Sequence, residues 1–240
     1  MLLKQLAKKL LPKKHQPNKH KFSHMFRKGS LLRELPILVV VALVVSLFIK
    51  SFLVQFFYIP SGSMENTLQI NDRVAVNKLP FVSGKIGRGD VVVFRDPASW
   101  LPEVDSSSAS TIKSKIKEGL VLVGVLPNPA KQYLVKRVIG IAGDRIVCCT
   151  DKKLTINGTA VDEPYIFKGN NPSEITFDIT VDPGKIWVMG DHRGASADSR
   201  YHQDDINKGQ VPLSRVTGRV FGVIWPFGNA KIVPSVPVLK

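Results

Sequence analysis

Apolar residues dominate one early stretch and then break into short clusters. From Pro36 to Ile49 the chain is apolar except for Ser46, and after Lys50 and Ser51 the run resumes up to Phe57. Read as one helix, residues 36–57 would span about 33 Å, close to the roughly 30 Å of a bilayer's hydrocarbon core. Beyond Phe57 the period changes. Asp72 to Lys78 alternates as a half-buried strand does. Val91-Val92-Val93-Phe94 is a short continuous apolar strand fed by turn residues 84–90. Further strands are predicted over 133–140, 145–149, 175–181, 186–189 and 216–225. Asn157-Gly158, between Leu154-Thr155-Ile156 and Ala160-Val161, is a hairpin turn signal. Pro234 and Pro237 predict an irregular tail. Many short strands with turns between them predict a mainly β domain, antiparallel and partly closed, with one N-terminal transmembrane helix before it.

Residues 97–131 interrupt the strand pattern. A serine-rich linker at 106–110 leads to Ile112, Ile116, Leu120 and Val123 at near-helical spacing, and Pro127 and Pro129 close the segment. It reads as an insertion, either a helix over the domain's own core or an apolar surface that touches a membrane. Its Ser-x-x-Lys tetrads, Ser110 with Lys113 and Ser114 with Lys117, lack the companion motifs of penicillin-binding enzymes and read as chance.

Charge sharpens the division of the chain. Of a net +15, ten positive charges fall in residues 1–33, which hold no acidic residue. A basic arm directly before an apolar run follows the positive-inside rule and favours a lipid surface over nucleic acid. No Ala-x-Ala-like site follows the apolar run, where Lys-Ser-Phe-Leu-Val-Gln-Phe-Phe stands instead, so the anchor is expected to stay uncleaved. The expected organisation is a cytoplasmic arm at 1–33, a transmembrane anchor at 34–57 and an extracytoplasmic β-rich domain at 58–240. The two cysteines, Cys148 and Cys149, are adjacent. Neighbouring Cα atoms lie ~3.8 Å apart, shorter than the usual disulfide range, so the two are expected to pack in a strand unbonded to each other. Neither metal spacing nor a cofactor motif is present.

Candidate chemistry begins at Pro60-Ser61-Gly62-Ser63-Met64. Proline stiffens the entry and glycine permits close approach, a way to present a serine hydroxyl beside backbone N–H groups. The same residues also suit an ordinary turn. A serine nucleophile needs a base. His15, His20 and His24 lie in the arm, leaving His192 and His202 in a polar segment. Lysine serves if burial keeps it neutral. Lys136 stands among Leu134, Val135, Val138 and Ile139, although a lysine in a strand commonly points to solvent.

Four stretches together resemble bacterial type I signal peptidase, a membrane-anchored Ser/Lys endopeptidase. They are Pro60 to Met64 with Thr67-Leu68, Gly89-Asp90-Val91-Val92-Val93-Phe94, Tyr133 through Gly143-Asp144, and Gly190-Asp191-His192-Arg193-Gly194-Ala195-Ser196-Ala197-Asp198-Ser199-Arg200. The resemblance implies Ser63 as nucleophile and Lys136 as general base. Ser61 matches an oxyanion-hole serine, Ser196 a serine that orients the lysine amine, and Asp198 with Arg200 a structural pair. By position, Ile59, Met64, Leu68 and Val135 would line the pocket next to the scissile bond, and Phe57, Val74 and Val93 a second shallow pocket. Where the family often has Asn-Arg-Asp-Asn-Ser, this chain has His192-Arg193-Gly194-Ala195-Ser196. The implied activity is removal of signal peptides from exported preproteins after Ala-x-Ala-like sites. It needs no cofactor, metal or nucleic acid, and would proceed at the plasma membrane among lipid, near the protein translocation machinery. Two alternatives are a LexA-like self-cleaving protease, which should lack the anchor, and a membrane-tethered binding protein.

Overall fold

The computed structural model describes residues 31–79, 86–102, 132–150 and 153–236. Nearly all of the basic arm, and residues 103–131 of the insertion, lie outside the described residues. Its first residues, 97–102, belong to the fold. The Asp96 carboxylate accepts from the N–H groups of Ala98, Trp100 and Leu101, and Trp100 packs edge-on to Phe94 in the core.

Helix α1 (Leu31–Phe52) has 22 residues, and its apolar side chains from Leu35 to Val45 are exposed. Among the described residues, no helix is long and apolar enough to cross a membrane. The expected helix through Phe57 is corrected, because strand β1 (Val54–Tyr58) begins where α1 has ended. Periodicity could not separate the two, since a continuous apolar run suits a buried helix or a strand equally.

The chain continues through β2 (Arg73–Asn77), β3 (Val91–Arg95), β4 (Tyr133–Ile141), β5 (Arg145–Thr150), β6 (Lys153–Ile156), β7 (Thr159–Ala160), β8 (Phe177–Thr180), β9 (Lys185–Met189), β10 (Val211–Pro212), β11 (Val216–Trp225) and β12 (Lys231–Ile232). Eight of these strands form one sheet, ordered β1-β2-β11-β3-β4-β9-β10 with β12 also on β11, and four form a second, ordered β7-β6-β5-β8. Every pairing is antiparallel. The large sheet is open, which corrects the expected partial closure: β1 and β10 stand at opposite ends of the strand order. The far edge strand has two residues, and Pro212 has no N–H to extend the ladder.

The centre of this sheet is covered on both faces. Along β3, Val91 and Val93 enter one apolar cluster while Val92 and Phe94 enter another, the period-two signature of a strand buried on both sides. Strand β2 was expected to alternate, yet Val74, Ala75 and Val76 are all buried, because β1 and β11 flank it. The Asn157-Gly158 turn forms as expected, with φ of 53° and 80°, the left-handed pair that a two-residue hairpin requires. Strand β12 pairs with β11, and after it residues 233–236 carry no regular element, the irregular tail expected, although Val233 is buried. The expectation for the cysteines is corrected too. Cys148 and Cys149 are joined as a disulfide, while Cys148 also packs in the core as expected.

Candidate active site

The loop after β1 is fastened at both ends. Ile59 donates its N–H to Asp72 O, and Asn71 returns one to Ile59 O, both at 2.9 Å. Between them Gly62–Met64 forms a single 3₁₀ turn, closed by Glu65 N–H on Gly62 O at 2.9 Å. Met64 and Leu68 are fully buried, and Leu68 donates to Met64 O at 2.7 Å. Two apolar anchors thus fix the turn from below. From the side, His192 N–H donates to Ser63 O at 3.1 Å. Ser61 precedes the turn in an extended conformation, exposed, and makes no side-chain capping bond.

Ser63 Oγ meets Lys136 Nζ at 2.6 Å. Lys136 is central in β4, which β3 and β9 flank, and it is only 4% exposed. Burial pushes its amine down from the ordinary 10.5 to about 8; the nearby Asp198 pulls it back up, Arg200 lowers it, and Asp191 raises it. A lysine at this value releases its proton in the range where a serine needs a base.

Its neighbour Arg137 makes the contrast. Adjacent strand residues point to opposite faces, and Arg137 is buried on the other one. Asp191 accepts from it at 2.8 and 2.6 Å, Gly89 O at 2.7 Å and Thr67 Oγ1 at 3.0 Å, while the guanidinium lies 4.1 Å over the Tyr165 ring. Arg137 is a fully matched, permanent cation that ties β4 to the turn carrying Ser63. Lys136 is offered a hydroxyl instead of a bidentate carboxylate.

The 190–200 loop supplies the next layer. Ser196 Oγ donates to Asp198 Oδ2 at 2.7 Å, and Gly190 N–H donates to the same oxygen at 2.9 Å. Arg200 grips Asp198 through Nε at 2.8 Å and Nη2 at 2.9 Å. Burial alone would raise the Asp198 carboxyl, but Arg200, Lys136 and the Gly190 N–H together hold it below the usual carboxylate range. Gly190 is needed for contact: a Cβ there would meet the Ser196 hydroxyl and, at 2.5 Å, Ser63 O. Arg193 closes the loop from behind, pairing with buried Glu163 and donating to Gly190 O at 3.0 Å.

The residues singled out in the sequence therefore converge. Ser63 bonds Lys136, and Ser196 and Arg200 bond Asp198, whose charge acts on the lysine; the Ser196 hydroxyl bonds Asp198 where a bond to the lysine amine was expected. Phe57, Ile59, Met64, Leu68, Val74 and Val93 share one apolar cluster, with Val135 packed against it. The histidines serve elsewhere. His192 stacks on Phe167 at 4.1 Å and sets Nδ1 2.9 Å from Glu65 Oε2. His202 stacks on Trp100, and burial lowers its pKa. The arm's three histidines lie outside the described residues. Sequence reasoning gave no role to Arg137, Thr67, Glu163 or Arg193; an arginine following a lysine in an apolar strand was the available signal. No cluster of three or more potential metal ligands occurs among the described residues.

A serine hydroxyl held against a buried amine is an arrangement that suits a hydrolase of the serine class. Comparison with known proteins agrees. Residues 32–225 match the family model described as signal peptidase, peptidase S26. Signal peptidase I of Mycobacterium tuberculosis is 36% identical over 233 residues, covering 87% of this chain and 78% of its own. The probable signal peptidase I of Mycobacterium leprae is 35% identical over 227 residues, covering 83% and 78%. A signal peptidase I of Enterococcus faecalis of known structure is 24% identical and covers 56% of this chain and 96% of its own, with a TM-score of 0.36, too low to weigh on the fold. The chain belongs to the signal peptidase family, peptidase S26, and is a serine endopeptidase.

Proposed function

We propose that this enzyme removes N-terminal signal peptides from exported preproteins, cutting after Ala-x-Ala-like sites with Ser63 as nucleophile and Lys136 as general base. The observation that carries the reading is the 2.6 Å contact between Ser63 Oγ and a lysine amine that is 4% exposed. The neutral amine accepts the Ser63 proton as Oγ attacks the scissile carbonyl carbon. The Ser61 hydroxyl and the Ser63 N–H donate to the oxyanion, a contribution commonly worth a few kcal/mol. The Lys136 ammonium then gives its proton to the departing amine, and the freed amine activates the water that hydrolyses the acyl-enzyme. With a pKa of about 8, roughly one lysine in ten is neutral at pH 7. Asp198, fixed by Arg200 and Ser196, faces the lysine and holds its pKa near the working range.

Ile59, Met64, Leu68 and Val135 would form the shallow apolar pocket that admits only a small side chain before the cut. Phe57, Val74 and Val93 would form the second, two residues earlier. The same apolar cover keeps Lys136 dry, so selectivity and base strength share residues.

The membrane assignment rests on three observations. Residues 1–33 carry ten positive charges and no negative one. The described apolar side chains of α1 are exposed. At β11 and β12, Trp225, Phe227 and Ile232 also face outward, a pattern suited to a lipid interface. The arm is then cytoplasmic, α1 belongs to the anchor, and the β domain is extracytoplasmic, close to where preproteins emerge from the translocation machinery. Incubating the purified full chain with a preprotein should release the mature product in wild type and leave the precursor intact with Ser63→Ala. Equal cleavage by both would refute the assignment.

A further inference from the structure

A groove beside the nucleophile's turn takes no part in the chemistry above. The segment between β7 and β8 is tied to that turn by Asn66, whose Nδ2 donates to Tyr165 O at 3.0 Å and Ile166 O at 3.3 Å. Phe167 N–H donates to Asp191 O at 2.9 Å, and its ring stacks on His192 at 4.1 Å. His192 in turn donates its backbone N–H to Ser63 O. Two contacts therefore lead from the nucleophile to Phe167. Phe167 is a wall of an open groove of about 290 Å³ that also takes in Ile166, Lys168, Asn170, Asp162 and Lys153.

The groove and the apolar residues proposed to hold the chain before the cut belong to different parts of the fold. Ile59, Val93 and Val135 belong to the cluster under the nucleophile's turn, whereas Val161 and Ile166 of the groove pack with Leu154 and Ile156 of the second sheet. His192 and Phe167 are the contacts that join Ser63 to the groove. Extended chain advances about 3.3 Å per residue, so five residues reach about 17 Å. The groove's charge is also defined. Glu163 is engaged by buried Arg193, which leaves Lys153 and Lys168 set against Asp162.

Resting on Ser63 as the nucleophile, the geometry points to this groove as the binding site for the substrate segment after the scissile bond, favouring acidic over basic side chains at the second to fifth positions. The test uses precursor peptides identical up to the cut and carrying either Asp/Glu or Lys at those positions. Wild type should show a higher kcat/KM for the acidic series, and each rim lysine should contribute about two- to five-fold, the range of exposed charge pairs. In the full chain carrying Lys153→Glu and Lys168→Glu, the acidic-to-basic ratio should invert. In a separate arm, Ser63→Ala protein mixed with a peptide bearing a benzophenone at the third downstream position should crosslink within residues 161–170. An unchanged ratio, or crosslinks only elsewhere, would overturn the groove assignment. Failure of the underlying reading looks different: cleavage would survive Ser63→Ala.

Discussion

Replacing Lys136 with methionine should make the folded protein more stable at neutral pH while abolishing activity. Methionine matches the length of the lysine stem and carries no charge. In the native state burial lowers the amine's pKa from 10.5 to about 8, so the folded protein holds this proton less tightly than the unfolded chain. Below pH 8 both states are protonated and the folded state bears the full cost of a buried ammonium. At 1.36 kcal/mol for each tenfold factor, that cost is about 3 kcal/mol. Between pH 8 and 10.5 the folded protein releases the proton first, wild-type stability rises with pH, and the cost fades. Lys136→Met should therefore exceed wild type by about 3 kcal/mol at pH 7, with the gap closing toward pH 10.5. Urea unfolding of both proteins across this range, followed by tryptophan fluorescence, reads the difference directly. A variant no more stable than wild type at pH 7, or a gap independent of pH, would show that the amine is solvated and refute the burial argument.

Three further outcomes follow from the same contacts. Asp191→Ala strands the Arg137 guanidinium in the core and should cost about 3–5 kcal/mol in chemical denaturation, the penalty of an orphaned buried charge. Gly190→Ala drives a methyl into Ser196 and Ser63 O; it should lower stability by about 1–3 kcal/mol, the range for overpacking, and reduce kcat more than it alters KM. Asp198→Asn removes the carboxylate that raises the Lys136 pKa, so the rising limb of the pH–rate profile should move below pH 8 as the maximal rate falls.

How far the sequence revealed this arrangement depended on what decided each feature. The Asn157-Gly158 hairpin and strand β11 rest on local chemistry, turn residues that tolerate positive φ and a sustained β-rich run, and both form where the pattern placed them. Strand β1 was read as helix because 36–57 is apolar nearly throughout, and only pairing with β2 turns Val54–Tyr58 into a strand. That pairing also sets Phe57 into the cluster under Ser63. Lys136 was visible as a polar residue among apolar ones, but its burial comes from β3 and β9 on either side of β4, a tertiary fact without a local signal. Resemblance, rather than pattern, singled it out. The Arg137–Asp191 pair joins residues 54 positions apart and stayed hidden for the same reason.

The central claim is that a neutral Lys136 activates Ser63. Its most direct test is the pH dependence of kcat/KM for an Ala-x-Ala precursor with wild type and Lys136→Arg. Arginine keeps a positive charge but cannot lose its proton at any usable pH. Wild-type activity should climb through an apparent pKa of about 8, while folded Lys136→Arg stays nearly inactive at every pH. Substantial turnover by folded Lys136→Arg, or a wild-type limb near the ordinary histidine value of ~6.5, would contradict the account and return the role of base to His192 or His202.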